Sequence, residues 1–464
     1  MIRKRAGQRS FSDAILFGAH IPDPKTLLDP VLGQLDEVLE SDELVDEVLE
    51  ALRKRHPQSS RRGRPGTPAE VALRLLVLKH VRQWTFDELQ WEVTGNVAYR
   101  AFCRIDSGRV PDAKTMIRIN QAIDEATLRR VFEQVVDEAK RRNVTRGRRM
   151  RVDTTVVETG VRYPLDSGLC EDVTRVACRE MERVREAGLP VPSTFRNVRR
   201  SVARRLYEIE QIGRRPTAHE AKLEALKEPY RRLLCVAARV VRQACAVVEA
   251  SKRLRRVLSG DIVRSLRVLE GVVTNGKQVV KQTRARVLRG QTKSEGKLVS
   301  IFEAHTQIIR KGKKHKPTEF GRTVKVQEAE GGVVTDIAVV NVSDSALVES
   351  SIEAHKKHFG RAPTLLSADR GFYSTANITR ALEMGVRQVV IPKPGYRSEA
   401  TRAKEGVRSF RRARAWRAGG EARISRLKRT FGMARSQYRG EAGLAKCAYW
   451  AAIANNLVAI AKAP

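Results

Sequence analysis

The stretch Met150–Glu158 constrains the fold of this chain more than any other. Valine and threonine dominate it, and one aspartate, Asp153, stands among them. Runs rich in β-branched residues favour a buried strand. An unpaired charge in a protein core is costly, so a buried carboxylate must have a cationic partner or bind a metal ion. We therefore expect Asp153 to have partners elsewhere in the chain.

The charge balance favours a nucleic-acid partner. The 464 residues include 89 Lys and Arg against 53 Asp and Glu, for a formal net charge of +36. An excess of this size attracts phosphate, and the alternative is a generically basic, solvated surface. No apolar run approaches the roughly 18 residues of a spanning helix, so we expect no membrane partner and a cytoplasmic location.

Cysteine and histidine give no sign of a zinc site. The six cysteines and eight histidines are scattered along the chain and show no zinc-type spacing. We expect the cysteines to be reduced core residues. His305 and His315 lie nearest to candidate chemistry, and a loop or structural role is expected for each.

The N-terminal third predicts helices. Residues 30–49 space apolar side chains at intervals of three and four, as an amphipathic surface helix does. Another helix is predicted from Pro68 to about residue 84, with Thr67 and Glu70 as its capping box.

Three more helices are predicted at 85–93, 112–123 and 126–142. The short helices suit a DNA reader of the helix-turn-helix type, and a plain helical scaffold fits equally well. Two basic runs, 61–66 and 141–149, are expected to lie near DNA phosphate, and a solvated linker is the alternative for the second run.

Residues 165–297 change to helical periodicity and predict a helical insertion. Within it, 197–212 and 218–258 predict a long antiparallel helix pair, the second interrupted or started afresh at Pro229. Its arginines are expected to form a phosphate-contacting face or to serve solubility.

The rest of the chain predicts a mixed sheet, in which a hairpin precedes strands connected by helices. Helices are predicted at 343–359 and 374–384. The predicted strands are 298–302, 323–327, 333–340, 363–368 and 388–391.

Two further carboxylates are candidate partners for the strand aspartate. Asp369 follows the strand predicted at 363–368, and Glu421 heads an amphipathic helix. Arg417 lies four residues before Glu421, and Lys428 lies seven residues after it. Three carboxylates suit a divalent-metal site, because Mg²⁺ prefers oxygen ligands. Taken alone, the helix residues also fit a surface salt-bridge stripe.

Other acidic residues compete for the metal role. Glu158 lies five residues after Asp153 and therefore points to the opposite face of the strand. We expect all of the competitors to be supporting or surface groups. The others are Asp166, Glu171, Asp172 and Glu303.

These patterns together resemble the DDE transposases of bacterial insertion sequences, most closely the IS5-related and ISNCY-type groups. The resemblance extends from about residue 65 to 460. The motifs that carry it are Val152–Glu158, Ser300–His305, Glu319–Arg322, Ser367–Tyr373 and the helix of Glu421.

The resemblance implies an α/β fold in which an RNase H-like, mixed-sheet catalytic core carries a helical N-terminal domain and a long helical insertion. It implies that Asp153, Asp369 and Glu421 bind two Mg²⁺ ions, for which Mn²⁺ is expected to substitute. Arg417 and Lys428 match the family signature Tyr-x2-Arg-x3-Glu-x6-Lys as further catalytic residues. The signature tyrosine is replaced by Arg414, and neighbouring Trp416 offers an aromatic face.

The function implied is cleavage at the terminal inverted repeats of the element and joining of the 3′ ends to target DNA. The partners implied are double-stranded DNA and at least one further copy of the chain, in the bacterial cytosol or nucleoid. The alternatives are a catalytically inactive, transposase-derived DNA-binding regulator and a cellular nuclease with an RNase H-like fold. The residues expected to contact DNA are Arg370, Arg414, Trp416, Arg148 and Arg149.

The chain divides into five predicted parts. They are an N-terminal helical and basic segment at 1–66, a helical DNA-binding domain at 67–149, a catalytic core at 150–164 and 298–440, the insertion at 165–297, and a C-terminal helix packing on the core at 441–464.

Overall fold

The computed structural model describes residues 3–5, 24–55, 66–105, 108–253, 258–293, 295–310 and 317–463. The chain forms two compact units. Unit 1 comprises Met1–Glu158 with Arg322–Pro464, and unit 2 comprises Thr159–Gly321. Most of the basic run at 61–66 and His315 lie outside the described residues.

The N-terminal part of unit 1 is helical, as predicted. Its helices are α1 (Pro30–Val38), α2 (Asp42–Arg55), α3 (Ala69–Arg82), α4 (Phe86–Gly95), α5 (Val97–Phe102), α6 (Ala113–Ala122) and α7 (Glu125–Arg141). The single helix expected over residues 30–49 is wrong, because the chain breaks between Val38 and Asp42 into two helices. Both helices bury their leucines in the core of unit 1.

The capping box predicted at Thr67 is also wrong. Helix α3 begins after Pro68 without a side-chain cap, and Glu70 is buried. Glu70 accepts a hydrogen bond of 3.1 Å from Arg74 Nε, because the fully buried guanidinium requires a carboxylate partner. A capping box occurs instead at α4, between Thr85 and Glu88.

The mixed sheet is confirmed. Its strands are β1 (Arg149–Glu158), β2 (Gln307–Arg310), β3 (Thr318–Ala329), β4 (Val334–Val340), β5 (Leu365–Ala368) and β6 (Gln388–Val390). The strand order is β2-β3-β1-β5-β6, and β4 pairs with β3. The β2–β3 and β3–β4 pairs are antiparallel, whereas β1, β5 and β6 run parallel.

The strand predicted at 298–302 is wrong. Side chains of helix α11 (Gly260–Thr283) in unit 2 satisfy the backbone of this segment, so it does not join a sheet. The Gln282 amide exchanges two hydrogen bonds of 2.9 Å with the backbone of Leu298, and Asn275 Nδ2 donates to the Ile301 carbonyl. The strand of this region is β2, at Gln307–Arg310.

Helices cover both faces of the sheet in unit 1. They are α12 (Val348–Phe359), α13 (Thr375–Glu383), α14 (Glu399–Gly406), α15 (Arg408–Thr430) and α16 (Gly440–Ala461). Met150 and Val152 of β1 share a core with Ile352 of α12 and Ala381 of α13. Phe410 of α15 packs on Leu365 and Val390, so α15 lies on the opposite face.

The expectation that no apolar run is long enough to span a membrane is wrong for α16. This helix has the length and apolar composition of a spanning segment, but most of it is buried in unit 1. It packs against α7 and β4, and its Trp450 and Leu457 belong to the main core.

Unit 2 is largely helical and contains the predicted insertion. Its helices are α8 (Asp166–Glu186), α9 (Arg199–Arg214), α10 (His219–Ser251) and α11 (Gly260–Thr283). Two helices occupy the positions of the predicted pair, and α9 packs against α10. The break at Pro229 is wrong, because α10 continues through it. Pro229 is buried beside Tyr230 and Leu233 on the packed face of the helix, and that packing offsets the lost backbone hydrogen bond.

Candidate active site

The parallel pairing of β1 and β5 brings two predicted aspartates together. Val152 lies opposite Ala368 in the register; Asp153 is the next residue on β1, and Asp369 directly follows the end of β5. Because side chains alternate along a strand, both carboxylates point to the face that carries α15, as Arg151 and Ser367 do. The Ser367 hydroxyl, for example, donates to the carbonyl of Ala413 in α15 at 3.4 Å.

Helix α15 supplies the cation that joins the three predicted carboxylates. Arg417 Nη1 lies 3.7 Å from Asp153 Oδ2 and 3.6 Å from Asp369 Oδ1. Its Nη2 donates to Glu421 Oε1 at 3.1 Å, one helical turn later. The Arg417 side chain is only 16% exposed, against 71% for Glu421. Carboxylates from a strand, a strand end and a helix therefore converge on one half-buried guanidinium.

Burial raises the pKa of the Asp153 carboxyl above its ordinary value of 3.8, and the neighbouring charges of Asp369 and Asp344 add to this effect. A hydrogen bond from the Thr154 N–H and the Arg417 charge act in the opposite direction. The site thus concentrates negative charge that a cation would stabilise.

The other predicted site residues lie around this centre. Lys428 is partly exposed, two turns beyond Glu421 on α15. Arg370 and Arg414 have exposed side chains, whereas Trp416 is partly buried beneath the guanidinium of Arg151, 4.7 Å from its ring.

Arg148 and Arg149 are exposed at the start of β1, and their backbone N–H groups donate to the Glu330 carboxylate. The DNA contacts expected of all these residues stay predictions.

Several competing acids have arginine partners of their own. Glu158 pairs with Arg435 at 3.1 Å, within unit 1. In unit 2, Asp166 pairs with Arg286, and Asp172 pairs with Arg175. The charges of these three carboxylates are therefore compensated locally.

Asp344 is an acidic neighbour of the site that sequence reasoning missed. It opens the short 3-10 helix Asp344–Leu347 after β4, and its Oδ1 accepts a hydrogen bond of 2.9 Å from the Thr154 hydroxyl. Its Oδ2 lies 2.8 Å from the position that a Cβ at Gly371 would occupy. Asp344 thus lies beside Thr154, which follows Asp153, and beside Gly371, two residues after Asp369. In the sequence it resembles only a helix start.

The donor chemistry fits Mg²⁺, which binds carboxylate oxygens and commonly takes one or two protein carboxylates while keeping several waters. Among the described residues, no three acidic, histidine or cysteine side chains approach closely enough to hold one ion together. The neighbouring carboxylates of Asp153 and Asp369 are therefore the pair suited to bind Mg²⁺. Glu421 lies on the other side of Arg417 from this pair.

Comparisons with known proteins give two matches. Residues 17–122 match the family described as a transposase domain (DUF772), and residues 296–457 match the transposase DDE domain. Searches among curated proteins and among solved structures give no match. The second match contains Asp369, Arg417 and Glu421. Both matched families are described as transposase domains, so the chain is similar to transposases over these two regions, and the second region is similar to a DDE domain.

Proposed function

We propose that this protein cleaves DNA at the terminal inverted repeats of its element and joins the 3′ ends to target DNA. The observation that carries the proposal is the convergence of Asp153, Asp369 and Glu421 on Arg417. Carboxylates gathered from distant parts of a chain suit metal-dependent phosphodiester chemistry better than a structural role, because their mutual repulsion opposes folding.

In this proposal Asp153, Asp369 and Glu421 hold two Mg²⁺ ions, for which Mn²⁺ can substitute. When bound, such ions would supply the activation of water or a 3′-hydroxyl and the stabilisation of the leaving oxygen. Arg417 and Lys428 neutralise the charge of the phosphate under attack. The two aspartates, fixed by the register of β1 and β5, set the position of the reacting phosphate.

We propose an RNase H-like core and membership of the IS5-related or ISNCY-type groups. A mixed sheet with a central parallel pair that carries the two aspartates supports this assignment. The motifs Val152–Glu158 and Ser367–Tyr373 point to the same groups.

Unit 2 is proposed to contribute to DNA binding. Residues 159–321 contain 36 Lys and Arg against 17 Asp and Glu, more than half of the chain's net charge in about a third of its length. A cavity of about 640 Å³ in this unit is lined by Arg175, Arg199 and Arg200. Holding two element ends at once requires at least a dimer, and the bacterial cytosol or nucleoid is the proposed location.

The test uses the full chain, Mg²⁺ and a duplex that carries the inverted repeats flanking the coding sequence. The protein is expected to nick the end and transfer its 3′-hydroxyl to a second duplex. Asp369→Ala should lose roughly a thousandfold in rate, since several kcal/mol of charge stabilisation depend on the metal site. Asp261→Ala is the matched control, because this aspartate is 88% exposed on α11 of unit 2.

Identical products from the protein and from Asp369→Ala would refute the proposal. Binding of the element end without cleavage in either Mg²⁺ or Mn²⁺ would favour the inactive regulator. Cleavage that is indifferent to the end sequence would indicate a cellular nuclease instead.

A further inference from the structure

A buried cluster of charged side chains lies behind the three carboxylates. Glu328 of β3 is 2% exposed and pairs with two arginines. Arg151 donates to it from Nε at 2.8 Å and from Nη2 at 2.7 Å. Arg423 donates from Nε at 3.0 Å. One buried carboxylate thus holds two guanidinium groups from different elements.

The two arginines connect the strand of Asp153 to the helix of Glu421. Arg151 lies on β1, two residues before Asp153 and on the same face. Arg423 lies on α15, two residues after Glu421, and its Nη1 also donates to Asn455 Oδ1 at 2.8 Å.

Arg151 reaches α15 directly as well. Its guanidinium stacks on the Trp416 ring and donates to the Trp416 carbonyl. The helix is therefore attached to the Arg151 and Glu328 pair on both sides of Glu421. Attachment on both sides fixes the distance of the helix from β1 and its rotation about its own axis.

Two adjacent glycines inside α15 permit this approach. A Cβ at Gly419 would lie 2.6 Å from Arg151 Nη1, and a Cβ at Gly420 would lie 3.5 Å from Arg151 Cδ. Glycine in a helix interior lowers helix stability relative to alanine, so two in succession need a reason. The reason here is that the Arg151 guanidinium lies against the helix backbone, where a larger side chain would collide with it.

We propose that the ion-pair cluster of Arg151, Glu328 and Arg423, seated against Gly419 and Gly420, is the positioning device that sets Glu421 relative to Asp153. The inference rests on the proposed metal-dependent function. None of the three charged residues needs to touch DNA or metal, because each acts through the placement of α15.

The test compares Gly419→Ala with Gly33→Ala. Both glycines lie within helices of unit 1, but no atom lies within 4 Å of a Cβ at Gly33. Helix propensity alone would raise the thermal stability of both variants, because alanine favours the helix, but in Gly419→Ala the contact with Arg151 opposes that gain. The positioning view predicts that Gly419→Ala alone displaces Arg151 from the helix backbone. Its Mn²⁺ dissociation constant, measured by the electron paramagnetic resonance of free Mn²⁺, should rise about tenfold, with a similar fall in cleavage rate.

A second pair of variants, Glu328→Gln and Glu70→Gln, checks the charge itself. Each removes a buried carboxylate paired with arginine, but Glu70 belongs to α3 and pairs with Arg74. Both variants should lower the thermal midpoint, and only Glu328→Gln should also weaken Mn²⁺ binding. If Glu328→Gln does not fold, Gly419→Ala decides the question.

Mn²⁺ affinity and cleavage equal to the unmodified protein in Gly419→Ala would overturn the inference while leaving the proposed function intact. If Asp369→Ala binds Mn²⁺ as tightly as the unmodified protein, the proposed metal site itself fails, and the positioning role fails with it.

Discussion

The carboxyl of Asp153 shows how a functional residue opposes the stability of its own fold. Burial and the nearby charges of Asp369 and Asp344 raise its pKa above 3.8, so its ionised form costs free energy in the folded protein. That cost is present at pH values above the raised pKa and absent below 3.8, where both states are protonated. The site therefore keeps a charge that folding disfavours.

Asp153→Asn should consequently stabilise the metal-free protein while abolishing cleavage. With EDTA at neutral pH, we expect a higher thermal midpoint than that of the unmodified protein, and the difference should shrink as the pH falls toward 3.8. Asp261→Asn, at an exposed position, should leave the midpoint unchanged. A lower midpoint for Asp153→Asn would show that the carboxylate stabilises the fold through Arg417 instead.

Residue type and spacing made Asp153, Asp369 and Glu421 candidate metal ligands, and the resemblance to DDE transposases added Arg417 to the group. They could not predict Glu328 as a partner of Arg151, because a glutamate near the end of a strand resembles a solvent-facing residue. Its burial depends on how α15 packs on the sheet, which is a tertiary property. The sequence of α15 did contain one sign of this packing, because the adjacent glycines Gly419 and Gly420 inside a helical pattern indicate that another group lies close to the helix backbone.

At the scale of the elements, a side chain of helix α12 holds the segment that precedes β1. His355 of α12 is fully buried, and its Nε2 lies 2.9 Å from the carbonyl oxygen of Gly147, two residues before the strand. A carbonyl oxygen can only accept a hydrogen bond, so the neutral imidazole ring of His355 carries its proton on Nε2. Burial lowers the pKa of this histidine to about 4.

The lowered pKa of His355 predicts that acid weakens the contact between α12 and the segment before β1, and with it the stability of the fold. Between pH 6.5 and about 4 the unfolded chain binds a proton at this residue and the folded protein does not, so stability is lost as the pH falls through this window. The loss should reach about 3 kcal/mol. Urea unfolding at several pH values checks it, with His355→Gln as the comparison, because its amide can still donate to Gly147. Equal pH slopes for the two proteins would contradict this assignment.

Elements with a single strong pattern were predictable, and those decided by side chains of other elements were not. The β-branched residues of β1 and the helical repeat that follows Glu421 in α15 both predicted the observed type of element. The apolar segment 298–302 failed because amides of Gln282 and Asn275 bind its backbone, and no local pattern encodes that interaction. The helix break predicted at Pro229 is also wrong, because burial of this residue in the packed face of α10 outweighs its local tendency to end a helix.

At the scale of the whole molecule, the net charge of +36 predicts a nucleic-acid partner but not the surface that binds it. Helix α9 of unit 2 offers a specific candidate. Arg199 and Arg200 occupy its first turn, where the helix dipole disfavours cations. Val198 at the cap position provides no side-chain acceptor, and Asn197 Oδ1 accepts a hydrogen bond of 3.1 Å from the N–H of Arg199. Within the described part of the chain, neither arginine forms an ion pair, so a phosphate would satisfy both the cations and the helix end.

The double variant Arg199→Ala/Arg200→Ala should therefore weaken binding of element-end DNA. The plot of log affinity against log salt should lose about 0.9 of its slope for each phosphate contact removed, or nearly two in all. Fluorescence anisotropy between roughly 50 and 200 mM salt measures this change. Arg231→Ala/Arg232→Ala is the matched control in the same unit, since these arginines are already paired with Glu228 and Glu208. Equal slopes for the two double variants would show that α9 does not contact the phosphate backbone and that its arginines only contribute to solubility.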